Sequence, residues 1–170
     1  NMGMLEINLI SKEIDHPSLK LFKKTKLIGT GSFGKVWKVL FIKNSIPLAL
    51  KEISKSKICR HNMIDEIFLE RDILSSIYNE HIANLYATFQ DKNNLYLIMD
   101  YLEGRDLRNQ MKIELFNEKQ IQFLAGCIII GLDYIHSKGI IHRDIKPENL
   151  VFDSKGYLRI TDFGIAIMQN

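Results

Sequence analysis

The chain has 170 residues, 46% of them hydrophobic and 25% charged, with a net charge of +3. This is an ordinary globular composition, and its scattered basic residues form no run that would mark a nucleic-acid-binding protein. The longest apolar run, around Cys127 to Ile130, is far short of the roughly 20 residues of a membrane span. Cys59 and Cys127 lack metal-ligand spacing, which predicts reduced thiols in a cytoplasmic protein. No secretory signal is visible. Met2-Gly3 is not an acylation site either, because Asn1 precedes the Met and Ile7 stands where a hydroxyl residue is needed.

In chain order, residues 1–21 mix apolar and charged side chains around Pro17 and read as a loosely packed extension. Residues 22–40 predict two strands around a glycine-rich turn, and Asn44-Ser45-Ile46-Pro47 is a further turn. Leu48 to Ile53 is a buried strand. A helix is predicted over His61 to Ile77, with Ile64, Ile67, Phe68, Ile73, Leu74 and Ile77 on its apolar stripe. Leu85–Gln90 and Leu95–Tyr101 pair across Asp91–Asn94, and Gly104 marks a connection. Asn117 and Gln120 have the spacing of an N-cap and its partner. They open a long helix that stops at Ser137-Lys138-Gly139, with Ile121, Leu124, Ile128, Leu132 and Ile135 on its core side. A hairpin follows, Leu150–Phe152 with Tyr157–Thr161.

The chemistry concentrates in His142-Arg143-Asp144-Ile145-Lys146-Pro147-Glu148-Asn149 and in Asp162-Phe163-Gly164. Phosphoryl transfer needs a positioned hydroxyl, a positioned phosphate and cations that neutralise spreading charge. Asp144 can orient the hydroxyl and accept its proton, and Lys146 adds a positive charge beside the transferred group. Asn149 and Asp162 are hard oxygen donors of the kind Mg²⁺ prefers. Upstream, Gly29-Thr30-Gly31-Ser32-Phe33-Gly34-Lys35-Val36 lies between strand patterns rather than opening a helix, which argues against a dinucleotide fold. Lys51 ends the apolar run Leu48-Ala49-Leu50, and a buried ammonium needs an anion. Glu70 and Glu66, one turn apart, compete for that role.

Taken together these motifs resemble the protein kinase catalytic domain, and the loop with Lys146 resembles its Ser/Thr-directed version. Among kinase groups the chain looks most like the AGC group. Leu107-Arg108 and Ile160 to Ala166 are similar to YANK-type members. It departs from them at Gly104-Arg105, where a double glycine is usual, and at Glu80-His81, where a Pro-Phe pair is usual. The resemblance implies an α+β, two-lobed fold: an extension over 1–21, an N-lobe over 22–101 with a five-stranded antiparallel sheet and one main helix, and the first part of a mainly helical C-lobe over 102–170. It covers about two thirds of the usual catalytic domain, so a non-catalytic scaffold or an inactive fragment is the rival expectation.

The activity implied is transfer of the γ-phosphoryl group of ATP, with Mg²⁺, to Ser/Thr hydroxyls of protein substrates, without nucleic-acid partners or a membrane segment. By resemblance, Gly29, Gly31, Ser32, Gly34 and Val36 cover the nucleotide. Ala49, Met99, Asp100, Tyr101, Leu102 and Val151 surround adenine, Met99 being the gatekeeper, and Asp106 meets the ribose. Lys51, paired with Glu70, meets the phosphates; Asp144 and Lys146 are catalytic; Asn149 and Asp162 hold metal. Arg143 would hold a phosphorylated activation segment, Glu148 would meet basic substrate side chains, and His142 would brace the loop.

Overall fold

The computed structural model describes Ile14 and residues 16–169. Their contacts divide into two units, one from the chain up to Ile64 together with Leu85–Tyr101, the other from Asp65–Asn84 and from Leu102 onward. The sequence division at 101/102 had counted residues 65–84 with the strands. Of the expected extension, residues 1–13 and 15 lie outside the described residues.

In the first unit, β1 (Phe22–Thr30), β2 (Gly34–Phe41), β3 (Pro47–Ser54), β4 (Leu85–Gln90) and β5 (Asn94–Asp100) form one sheet in the order β1-β2-β3-β5-β4. Every pairing is antiparallel, as the resemblance implied. Alternation assigns the two faces, because residues paired across antiparallel strands share a side. Val39 pairs with Leu48, and Trp37 with Leu50, which pairs in turn with Ile98. These residues face a core in which Val39, Leu48, Leu50 and Ile98 are at most 2% exposed. Burying each such side chain contributes about 1.5–3 kcal/mol, which is what anchors the register. Phe22, Phe41, Phe89 and Tyr96 extend this core as a run of ring contacts at 4.9–6.1 Å. Ile14 is also buried in it, so this part of the extension is packed in the core rather than loosely attached.

The helix predicted over 61–77 is α2 (Ile64–Ser76), and a further short helix, α1 (Lys55–His61), precedes it. Asn62 separates them by taking a left-handed conformation, φ 55°, with its N–H on the carbonyls of Ile58 and Cys59. Asn tolerates that region better than most residues. The buried stripe of the α2 segment is Glu70, Ile73, Leu74 and Ile77, at positions i, i+3, i+4 and i+7. Ile64 and Phe68, expected on it, are 42% and 45% exposed.

In the second unit, α3 (Leu107–Gln110) precedes the long α4 (Glu118–Ser137). The predicted capping box at α4 is present: Asn117 Oδ1 accepts from the Gln120 N–H at 3.0 Å, and Gln120 Oε1 accepts from the Asn117 N–H at 2.8 Å. Its buried stripe is Leu124, Cys127, Gly131 and Ile135, and Ile121 is exposed instead. Small residues occupy the contact because space is short. A Cβ on Gly131 would sit 2.9 Å from Ile160 Cδ1. Short strands β6 (Ile140–Ile141), β7 (Leu150–Phe152), β8 (Leu158–Ile160) and β9 (Ile167–Met168) pair as β6-β9 and β7-β8. Between them run the two chemistry-bearing loops.

Candidate active site

The β ladder brings several predicted nucleotide-binding residues of the first unit together. Val36 pairs with Lys51 and Lys51 with Leu97, while Lys38 pairs with Ala49 and Ala49 with Met99. Val36, Ala49, Lys51 and Met99 therefore share the sheet face opposite the apolar core. Asp100, one residue on, belongs to the other face, where it accepts a hydrogen bond from the Tyr86 hydroxyl. The Lys38 ammonium lies 4.2 Å from the Tyr101 ring centre.

The glycine turn closes with a hydrogen bond from the Gly31 N–H to the Gly34 carbonyl, 2.9 Å. Its glycines are not equivalent. A Cβ on Gly34 would fall 1.9 Å from the Glu52 carbonyl oxygen, whereas one on Gly31 would meet nothing within 4 Å. Only Gly34 is required by close backbone approach.

In the second unit the loop from His142 to Asn149 is organised around Asp144. Its Oδ2 accepts from Lys146 Nζ at 2.7 Å and from Asn149 Nδ2 at 2.8 Å. Asn149 Nδ2 also donates to the Asp144 carbonyl at 3.0 Å. The Lys146 hydrogen bond, with Asn149 assisting, holds the Asp144 carboxyl below its usual range, and the same bond raises Lys146. Asp144 is thus ionised at neutral pH and acts better as an orienting acceptor than as a strong base.

His142 braces the loop from beneath. It is 1% exposed, with Nε2 3.0 Å from the Thr161 carbonyl and Nδ1 accepting from the Asp144 N–H at 3.2 Å. These partners select the neutral tautomer with the proton on Nε2. Burial pushes the His142 pKa down, against opposing effects from Thr161 and the Asp162 and Asp144 carboxylates. Its ring meets Phe163 edge-on, centres 4.8 Å apart.

Two residues of these loops, Arg143 (φ 65°) and Asp162 (φ 61°), have left-handed backbones. Non-glycine residues pay for that conformation and tend to keep it where function needs it. Arg143 Nε donates to the Ile165 carbonyl at 2.6 Å, and Asp162 Oδ1 accepts from the Gly164 N–H at 3.3 Å. No cluster of three or more His, Cys, Asp and Glu is arranged around a metal position among the described residues. Mg²⁺ does not require one, since it keeps water and phosphate ligands beside one or two protein oxygens. Asn149 suits that use. Its amide nitrogen is turned to Asp144, and its Oδ1 accepts no hydrogen bond among the described residues.

Asp106 is the N-cap of α3, its two oxygens accepting from the N–H and the side-chain amide of Asn109 at 2.8 and 2.7 Å. It also pairs with Val151 as an isolated bridge. Glu148 lies 3.8 Å from Arg108, both well exposed. Glu70 is 3% exposed, and Leu102 is half-buried. Sequence reading missed α1, although Lys57 and His61 on it reach the glycine turn.

The protein kinase domain family matches residues 22–170. This chain belongs to that family. It is 40% identical over 152 residues to the cAMP-dependent protein kinase catalytic subunit of Dictyostelium discoideum, covering 87% of this chain and 23% of that protein. It is 40% identical over 167 residues to the serine/threonine-protein kinase Warts of Drosophila melanogaster, covering 97% and 15%. With LATS2 of Homo sapiens it shares 34% identity over 166 residues, covering 93% and 15%. The first relative is of the AGC group that the sequence resembled. The chain spans less than a quarter of the length of these relatives.

Proposed function

We propose that the protein carrying this chain transfers the γ-phosphoryl group of ATP to Ser and Thr hydroxyls of protein substrates. The observation that carries the reading is the held carboxylate of Asp144. One oxygen is occupied by Lys146 and Asn149, and the other, Oδ1, has no hydrogen bond among the described residues, ready to accept one from a substrate hydroxyl. Bound Mg-ATP would supply the electrophilic phosphorus and the cations that neutralise its oxygens.

The chain's own residues do the rest. Asp144 would align the hydroxyl and take its proton as that oxygen bonds to the γ-phosphorus and the bond from phosphorus to the β-phosphate oxygen breaks, releasing ADP, a role compatible with a lowered pKa because a loose transition state asks for positioning more than for a strong base. Lys146 would stabilise charge on the transferred group, and Lys51 would do so on the remaining phosphates. Asn149 Oδ1 and the Asp162 carboxylate would hold Mg²⁺. Gly29, Gly31, Ser32, Gly34 and Val36 cover the nucleotide. Ala49, Met99, Asp100, Tyr101, Leu102 and Val151 receive the base, and Asp106 would meet the ribose beside its capping bonds to Asn109. A cytoplasmic location goes with this reading, supported by the free thiols of Cys59 and Cys127.

The test is radiolabelled ATP with a degenerate peptide library, followed by identification of the labelled amino acid. Label on Ser and Thr is expected. Label confined to Tyr refutes the specificity, and no label from folded, activated protein favours a non-catalytic scaffold.

A further inference from the structure

A glycine-rich turn is cheap to bend and costly to hold still, since glycine loses more conformational freedom on ordering than any other residue. Here the turn is tied down by one neighbouring segment. The Ser54 N–H, at the end of β3, donates to the Phe33 carbonyl at 3.0 Å. Lys57 Nζ, on the first turn of α1, donates to the Ser32 carbonyl at 3.2 Å. His61, at the other end of α1, meets the Phe33 ring edge-on with centres 5.8 Å apart. Ser32 and Phe33 are the tip of the turn, and three contacts from residues 54–61 converge on them. The Ser54 bond belongs to backbone and tolerates any side chain. The other two are side-chain contacts made by α1, whose one buried residue is Ile58.

We infer that Lys57 and His61 are positioning residues that latch the tip of the glycine turn to α1 and thereby set how firmly the turn covers nucleotide phosphates. The inference rests on the proposed nucleotide-binding role of the turn. Neither side chain touches the reacting groups. Both act through Ser32 and Phe33, by fixing the carbonyl and ring of the tip. Each contact is exposed and of modest strength, so the latch biases an equilibrium rather than locking the turn.

The test separates the latch from the nucleotide reading. Lys57→Met and His61→Ala, singly and together, would be compared with Lys57→Arg and His61→Phe, which keep a donor and a ring. Deuterium exchange of the peptide covering residues 30–36 reads turn opening without ligand, and calorimetric titration of Mg-ATP reads affinity. The double variant should exchange about 3–10-fold faster and bind Mg-ATP more weakly by a similar factor, the scale of one or two exposed contacts. The conservative pair should restore both, with little change in melting temperature. Unaltered exchange in the double variant would overturn the latch, and faster exchange with unaltered affinity would overturn the positioning role. Failure of the unsubstituted chain to bind Mg-ATP would instead defeat the nucleotide reading itself, leaving exchange to decide the latch.

Discussion

Replacing His142 with Phe isolates the polar work of one buried ring. Phe preserves the ring and its edge-on contact with Phe163, but it can neither donate to the Thr161 carbonyl nor accept from the Asp144 N–H. Each buried group left unsatisfied costs about 1–3 kcal/mol. For the two groups the sum is roughly 2–6 kcal/mol, reduced wherever water reaches one of them. A pH dependence goes with it. The His142 pKa is lower in the folded protein than in the unfolded chain, so between the two values the unfolded state binds more protons. Stability then rises with pH over that window, and His142 withdraws it as pH falls below about 6.5. Physically, a proton on Nδ1 would confront the Asp144 N–H that now donates to it. Urea unfolding of both proteins from pH 5 to pH 8 is the assay. The variant should be less stable at neutral pH and should lose part of the acid-side slope. A loss under about 0.5 kcal/mol with an unchanged slope would show that His142 is packing alone, against the hydrogen-bond account.

Gly34→Ala and Gly31→Ala should behave oppositely. The first must push the turn off the Glu52 carbonyl and should destabilise by about 1–3 kcal/mol while weakening Mg-ATP binding, whereas the second enters open space and should leave thermal unfolding within error; equal effects would contradict the steric argument. Lys51→Met keeps aliphatic length and removes the charge, so kcat/KM should fall by about 10²-fold or more with a smaller loss of thermal stability. Normal turnover in that variant would remove Lys51 from the phosphate site.

The parts of the fold legible in the sequence are those governed by local rules. The apolar run Leu48-Ala49-Leu50 gave the buried strand, whereas the face shared by Val36, Ala49, Lys51 and Met99 follows from strand pairing. Asn117 and Gln120 gave the start of α4 because a capping box is made by residues three apart. The helical stripes were placed only in part, Ile73, Leu74, Ile77, Leu124 and Ile135 being buried as expected, because periodicity weighs large apolar side chains. In α4 the contact is made by Cys127 and Gly131, and in α2 a buried carboxylate, Glu70, lies on the stripe. Helix α1 was missed for a related reason. Its seven residues, Lys-Ser-Lys-Ile-Cys-Arg-His, carry no apolar period, and a helix that short draws its stability from tertiary contacts. Asn62 was the available signal, a left-handed-tolerant residue between two helical stretches. At the site, the arrangement of the residues was not legible in the sequence. The left-handed backbones of Arg143 and Asp162, and the tautomer of His142, depend on partners as far off as Ile165 and Thr161.

The two site aspartates have been given different work, and one experiment reads the difference. On the proposed reading Asp144 acts on the hydroxyl, so Asp144→Asn should leave Mg-ATP affinity nearly intact and lower the rate by the factor of about 10²–10⁴ typical of positioned proton acceptance. On the same reading Asp162 would hold metal, so its charge would matter before the reaction begins, and Asp162→Asn should weaken Mg²⁺-dependent nucleotide binding directly. Calorimetric titration of Mg-ATP into both variants, with rates measured alongside, is the most direct test of the site as a phosphoryl-transfer centre. Retained affinity in Asp144→Asn and reduced affinity in Asp162→Asn is the predicted result; equal loss of affinity in both would contradict it.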